Sequence, residues 1–107
     1  GHLRRIALAS RVGVAIRVEA VPLLPGAAAV AARGVRSTLH AQNRHALPDC
    51  PDDARHAPLT DPQTAGGLLA AVPPDRAAAC LADLRVMGHC AAEIGAVTDR
   101  TGRIELV

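Results

Sequence analysis

Among its 107 residues the chain has no Phe, Trp or Tyr, although half of its residues are apolar. Its interior must therefore be built from Leu, Ile, Val and a large number of Ala, which are small enough to let helices and strands approach closely. Without aromatic rings there is no platform on which nucleic-acid bases could stack, and the formal net charge is only +2. Both features argue against nucleic acid as a partner.

The remaining composition excludes several kinds of chemistry. The twelve basic residues are all Arg, so a P-loop lysine, a Schiff base and any other lysine chemistry are excluded for this chain. The three cysteines, Cys50, Cys80 and Cys90, are an odd set without regular spacing, which predicts reduced thiols in a cytoplasmic protein. No stretch approaches the roughly 18 apolar residues of a membrane span, so no membrane association is expected.

Helical periodicity occurs in four segments: residues 2–11, 26–33, 37–44 and 74–87. In the last segment, apolar residues recur at i, i+3, i+4 and i+7, namely at Ala77, Cys80, Leu81 and Leu84. Gly13, Gly34 and Gly88 follow helical segments where left-handed stops are expected, and Ser37 is a candidate cap.

Strand patterns complete the predicted fold. Val14, Ile16 and Val18 alternate with other residues, as in a strand with one buried face. The apolar run Leu68–Val72 predicts a strand that is covered on both faces. Residues 93–98 and 103–107 flank a turn and predict a hairpin. We therefore predict one domain, residues 1–107, of the α/β (α+β) class: a mixed sheet of about four strands with helices packed on it. Residues 45–60 are rich in Pro and Asp and predict an exposed loop.

The most unusual segment runs from Asp61 to Leu69 and reads Asp-Pro-Gln-Thr-Ala-Gly-Gly-Leu-Leu. Pro62 restrains Asp61 to extended conformations, and Gly66-Gly67 lets the chain turn where side chains would obstruct it. Such a loop can bring backbone N–H groups and the Thr64 hydroxyl close to an anion. It can also be a plain entry into the strand that follows, because a double glycine without a lysine or a following helix is a weak phosphate signal.

These nine residues resemble the signature Asp-Pro-Gln-Thr-Ser/Ala-Gly-Gly-Leu-Leu of the selenophosphate synthetase family, part of the aminoimidazole ribonucleotide synthetase superfamily. Three more segments are similar to sequences of that family: Gly1-His2-Leu3, Pro22-Leu23-Leu24-Pro25-Gly26-Ala27 and Ile94-Gly95. Together the similar segments span almost all of the chain. Ala65 stands where the family more often has Ser, so one possible hydroxyl donor is missing.

The resemblance implies a carboxy-terminal domain that helps to close an active site. The family converts ATP, selenide and water to selenophosphate, AMP and phosphate, and uses Mg²⁺. By resemblance, the cofactor-binding residues of this chain are Asp61, Thr64, Gly66 and Gly67. Most ATP and Mg²⁺ ligands, the reactive Cys or selenocysteine, the Lys and the dimer interface belong to an amino-terminal domain. We therefore expect no catalytic residue and no metal ligand in this chain, no activity of the chain alone, and a homodimeric parent enzyme in which the amino-terminal domain is its partner.

Other groups of side chains carry weaker signals. Two contain metal-ligating atoms without the spacing of a known zinc site: Cys50 with His45 and His56, and the adjacent His89-Cys90. A short acidic run, which is more often solvated than bound to Mg²⁺, comprises Asp49, Asp52 and Asp53. Asn43 and Arg44 stand where an arginine could reach a nucleotide phosphate, although an exposed arginine at a helix end is the simpler interpretation.

Two other functions stay open at the level of sequence. The chain can be a non-catalytic interaction module that keeps the fold, or a domain of a sister ATP-dependent enzyme of the same superfamily. Gln63-Thr64 within the signature argues against the sister enzyme.

Overall fold

A computed structural model describes residues 1–47, 49–62 and 66–107. In chain order, the elements are α1 (His2–Ala9), β1 (Gly13–Ile16), a 3-10 helix (Val18–Ala20), α2 (Ala27–Ala32), α3 (His40–Arg44), a second 3-10 helix (Ala57–Thr60), α4 (Pro74–Val86), β2 (Gly95–Thr98) and β3 (Ile104–Leu106). This arrangement of helices and a mixed sheet confirms the predicted α/β class.

The sheet of the described residues has three strands in the order β2-β1-β3. β1 is antiparallel to β2, with Gly13 opposite Thr98, and parallel to β3, with Val14 opposite Ile104. The predicted hairpin is therefore wrong, because β1 lies between its two strands. The pattern of residues 93–107 correctly indicated two strands and a turn. A local pattern does not determine which strand each of them pairs with.

The turn between β2 and β3 crosses the start of β1. The Gly102 N–H donates to the Val12 carbonyl over 2.8 Å, and the Thr101 hydroxyl donates to the Arg11 carbonyl over 2.9 Å. A Cβ on Gly13 would overlap the Arg100 carbonyl oxygen. Gly13 is thus needed for close approach within the sheet and is not the predicted left-handed stop of α1. That conformation belongs to Arg11, with φ 54°.

The predicted buried strand Leu68–Val72 is also wrong. Residues 66–73 have no regular secondary structure, and the Leu68 side chain is fully exposed. An apolar run indicates that a segment is stabilised by burial, but a strand also requires a neighbouring strand with which it can form hydrogen bonds. The described residues place no strand next to this segment.

The predicted helices are largely confirmed. α2 and α4 are followed by Gly34 and Gly88 with φ of 78° and 85°, the left-handed conformation predicted for them. The stripe predicted on α4 is its less exposed face, although each of the four residues is only half-buried. α3 begins at His40 and not at Ser37, and its N-cap is Leu39, so Ser37 is not the predicted cap; its hydroxyl accepts a hydrogen bond from the Leu39 N–H over 3.1 Å in the preceding turn.

The buried residues connect the sheet to the segment predicted as an exposed loop. The most buried apolar residues are Ala7, Ile16, Val18, Ala31, Cys50 and Ala57, and the buried polar residues are His40 and Thr60. Three of these eight lie between residues 45 and 60, so that part of the prediction is wrong. The polar composition of this segment gave no sign that Cys50 is buried or that Ala57–Thr60 forms a 3-10 helix. No helix of the described residues is long and apolar enough to cross a membrane.

Candidate functional site

The signature loop, residues 61–67, begins directly after the second 3-10 helix. Asp61 is exposed and extended, with φ −69° and ψ 134°, as the following Pro62 requires. Gly66 and Gly67 are exposed, and a Cβ on Gly67 would meet no atom within 4 Å. Thr64 lies outside the described residues. Within the described residues, there is therefore room at the position that a Gly67 Cβ would occupy.

The base of this loop is a buried residue, Thr60, which is 6% exposed. The side-chain amide of Asn43 donates a hydrogen bond to the Thr60 carbonyl over 2.9 Å. The Thr60 hydroxyl lies 3.1 Å from the Ala57 carbonyl oxygen and 3.3 Å from His40 Nδ1. Both the backbone and the side chain of Thr60 are thus held by α3 and by its own 3-10 helix.

A chain of polar contacts continues from Thr60 to the end of α2. His40 is 7% exposed, and its Nε2 lies 3.2 Å from Asp52 Oδ1. Arg36 Nε donates to the same Asp52 oxygen over 3.0 Å, and Arg36 Nη1 donates to the Ala31 carbonyl over 2.7 Å. Residues from the end of α2, from α3 and from the segment up to the second 3-10 helix therefore meet in one hydrogen-bonded cluster. We call Arg36, His40, Asn43, Asp52 and Thr60 the anchor cluster.

Electrostatics favour the ionised form of the two carboxylates in this region. Burial alone raises the pKa of Asp52, but hydrogen bonds and positive charge from Arg36 and His40 lower that pKa overall. Backbone and side-chain hydrogen bonds from His56, together with the Arg55 N–H, lower the pKa of Asp53 to about 2. Both acidic side chains are therefore engaged in holding the chain. Both carboxylates are exposed, as the prediction of a solvated acidic run expects, and each also accepts hydrogen bonds from within the chain.

The hydroxyl, imidazole and carboxylate of Thr60, His40 and Asp52 follow one another as in a nucleophile, its base and an orienting acid. Thr60 is too buried to meet a substrate, and its hydroxyl also contacts the Ala57 carbonyl. The series is therefore better suited to holding the loop base than to attacking a substrate.

Arg44 is the second basic side chain near Asp52. Its Nη1 lies 3.7 Å from Asp52 Oδ2, and the side chain is 28% exposed. Arg44 is the last residue of α3, as predicted for a helix-end arginine, but its side chain is half-buried and not exposed. Asp52 thus forms ion pairs with both Arg36 and Arg44.

The structure separates the candidate metal ligands. Cys50 is buried, and burial raises the pKa of its thiol, while His56 pairs with Asp53 over 2.8 Å. His89 and Cys90 are exposed. Among residues 1–47, 49–62 and 66–107, no three His, Cys, Asp or Glu side chains are grouped so that they could hold a metal ion.

Sequence reasoning missed His40 and Thr60. The spacing of His40 and Asn43, three residues apart in a predicted helix, indicates a shared polar face. Their partner, Thr60, is 17 residues beyond Asn43, and nothing in the pattern of the sequence pointed to it.

Comparisons with known proteins relate the whole chain to one family. The family model for the AIR synthase related protein, C-terminal domain, matches residues 1–107. A protein of Rhizobium meliloti (strain 1021) named selenide, water dikinase is 34% identical over 83% of this chain and 27% of its own length. Proteins of the same name from Burkholderia pseudomallei (strain K96243) and Trichlorobacter lovleyi are 34% and 39% identical over 99% and 73% of the chain. The chain spans about a third or less of these relatives. No solved structure matches it.

Proposed function

Because the chain belongs to the family of AIR synthase related protein C-terminal domains, we propose that it is the carboxy-terminal domain of an ATP-dependent selenophosphate synthetase. The parent enzyme would convert ATP, selenide and water to selenophosphate, AMP and phosphate. In this proposal the chain itself is inactive and helps to close the active site. The observation that carries the proposal is the nine-residue signature from Asp61 to Leu69, within a chain that its family matches along its whole length.

The proposed contact with nucleotide is made by Asp61, Thr64, Gly66 and Gly67. The exposed backbone at Gly67 supports this role, because a phosphate oxygen can approach a peptide N–H where no side chain intervenes. Asp61, at the start of the loop, is exposed as well. In the proposed reaction the phosphates of ATP include both the group that is transferred and the group that leaves. The proposed role of the loop is to position these phosphates.

Mg²⁺ fits this domain poorly as a resident ion. Asp52 and Asp53 are engaged by Arg36, His40 and His56, and in the described part of the chain no three His, Cys, Asp or Glu side chains are grouped so that they could hold a metal ion. We propose that the ion and most of the ATP are bound by an amino-terminal domain of the parent enzyme, which is expected to be a cytoplasmic homodimer. No step of the reaction is assigned to a metal held by this chain.

Contact with another domain is supported by the segment that follows the loop. Leu68 is fully exposed, and Leu69 and Val72 are 43% and 38% exposed. Complete exposure of Leu68 next to the signature leaves apolar surface in water, which its burial would stabilise. The proposed amino-terminal domain would cover this segment while it meets the loop.

The role of the loop is tested by Thr64→Ala in the full-length protein that carries this chain. If Thr64 donates to a phosphate mainly in the transition state, loss of a hydrogen bond of about 1.5–3 kcal/mol lowers the rate of AMP formation about tenfold or more. The matched control is Thr38→Ala, which removes an exposed hydroxyl from a turn outside the loop. Full activity of the Thr64→Ala enzyme would contradict the proposed contact with phosphate. A loss of activity equal to the loss of folded protein would also contradict it, because the role of the loop would then be structural only.

A further inference from the structure

The residue before the signature loop, Thr60, is held through both its backbone and its side chain. Thr60 is buried and is contacted through both its carbonyl and its hydroxyl, whereas Asp61 and Pro62 are exposed. The direction in which the chain leaves Thr60 therefore depends on the groups that hold Thr60. Two of these groups, the side chains of His40 and Asn43, come from α3.

α3 has five residues and is too short to be stable as an isolated helix. Its orientation must be set by tertiary contacts. His40 and Asn43 stand three residues apart and share the face that meets Thr60. Asp52 binds His40 from the other side of its ring, and Arg36 ties Asp52 to the carbonyl at the end of α2.

We infer that Asn43 is a positioning residue, whose amide fixes the Thr60 carbonyl and thereby aims the Asp61–Gly67 loop at the nucleotide. His40 assists through the Thr60 hydroxyl. This inference rests on the proposed function for its catalytic consequence, but the positioning itself is a property of the fold. Asn43 touches no reacting atom, so its effect must pass through the loop.

Loss of the Asn43 amide has a defined chemical effect. The buried Thr60 carbonyl loses the hydrogen bond from the side chain. Asn43→Asp keeps the shape of the side chain, but it places an acceptor opposite an acceptor. We expect the chain to leave Thr60 in a changed direction. A misplacement on the order of 1 Å far from the chemistry can cost up to about 100-fold in rate.

The experiment compares Asn43→Asp and Thr60→Val in the full-length protein with two matched controls. Gln42→Ala removes an exposed side-chain amide from the same helix, and Thr60→Ser keeps the hydroxyl that Thr60→Val removes. Three quantities are measured for each variant: kcat of selenide-dependent AMP formation, Tm, and the amide ¹H–¹⁵N chemical shifts of Gly66 and Gly67. The glycine shifts report loop placement without requiring turnover.

The inference predicts that Asn43→Asp lowers kcat about tenfold or more and displaces the Gly66 and Gly67 resonances, with most of the protein still folded. Gln42→Ala and Thr60→Ser should behave as the unmodified protein. Unchanged glycine resonances in Asn43→Asp would overturn the inference, and so would an unchanged kcat. If Thr60→Val does not fold, the comparison of Asn43→Asp with Gln42→Ala decides.

Failure of the proposed function has a different signature. In that case the unmodified full-length protein forms no AMP from ATP and selenide. The glycine resonances then decide the positioning alone: their displacement in Asn43→Asp and not in Gln42→Ala supports it, and their constancy refutes it.

Discussion

Gly13 offers the sharpest test of the sheet topology, because the turn from β2 to β3 passes directly over it. A Cβ at this position would overlap the Arg100 carbonyl oxygen, and it would lie 2.5 Å from Thr98 Oγ1 and 2.9 Å from the Arg100 carbonyl carbon. Two of the three obstructing atoms are backbone, so the crossing turn itself must move. Gly13→Ala is therefore expected to destabilise the fold, in the same way as overpacking of a core.

The magnitude follows from two opposing effects. Overpacking costs about 1–3 kcal/mol, and the reduced freedom of the unfolded chain returns about 0.4–1 kcal/mol. The central values leave a net loss of about 1.3 kcal/mol, which at about 4–8 °C per kcal/mol lowers Tm by roughly 5–10 °C. Gly67→Ala is the matched control, because a Cβ there meets nothing within 4 Å and its φ is not left-handed.

Thermal unfolding of the 107-residue chain, followed by circular dichroism, measures both variants. Gly67→Ala should leave Tm unchanged or slightly higher. An unchanged Tm in Gly13→Ala would refute the reasoning, because the turn could then not cross β1 as described.

Three further predictions concern other parts of the chain. The pKa of Asp53 is about 2 in the folded chain, below the roughly 3.9 of an unfolded Asp. The ionised carboxylate therefore stabilises the fold at a pH above about 4, the unfolded pKa. This stabilisation is lost as the pH falls through the folded pKa. Asp53→Asn should thus lower Tm at neutral pH, and its difference from the unmodified chain should vanish near pH 2, about the folded pKa; a constant difference would contradict this. Iodoacetamide should alkylate exposed Cys90 well before buried Cys50, whose thiol pKa is raised, as peptide mass spectrometry would show; equal rates would place Cys50 at the surface. The isolated chain should form no AMP from ATP with or without selenide, and selenide-dependent AMP from the purified chain would refute the division of labour between domains.

Local patterns predicted the helices well, because their signals lie within a few residues. Ala77, Cys80, Leu81 and Leu84 mark one face by spacing alone, and Gly88 marks the helix end by its left-handed φ. β1 was predicted for the same reason, from the alternation around Ile16. These features need no knowledge of what lies beside them.

Pairing and burial were harder to predict, since they depend on residues far away in sequence. The partner of β3 is β1, about 90 residues earlier, and not the adjacent β2. The burial and hydrogen bonding of Thr60 depend on Asn43 and His40, which are 17 and 20 residues away in sequence. Residues 45–60 looked like a loop because Asp52 and Asp53 are polar, yet Arg36 and His56 donate hydrogen bonds to these carboxylates.

The candidate site was predicted from its sequence signature and not from its physical pattern. The Gly66-Gly67 pair alone is equally compatible with a plain turn. The structure adds the open space at Gly67 and the buried base at Thr60. Contact of the loop with nucleotide stays a prediction.

The most direct test of the proposed function is ³¹P NMR of the products formed by the full-length protein from ATP, Mg²⁺ and selenide. We predict the appearance of selenophosphate together with AMP and inorganic phosphate in equal amounts, and no AMP when selenide is omitted. ADP as the nucleotide product, or AMP formed at the same rate without selenide, would contradict the assignment of this domain to a selenophosphate synthetase.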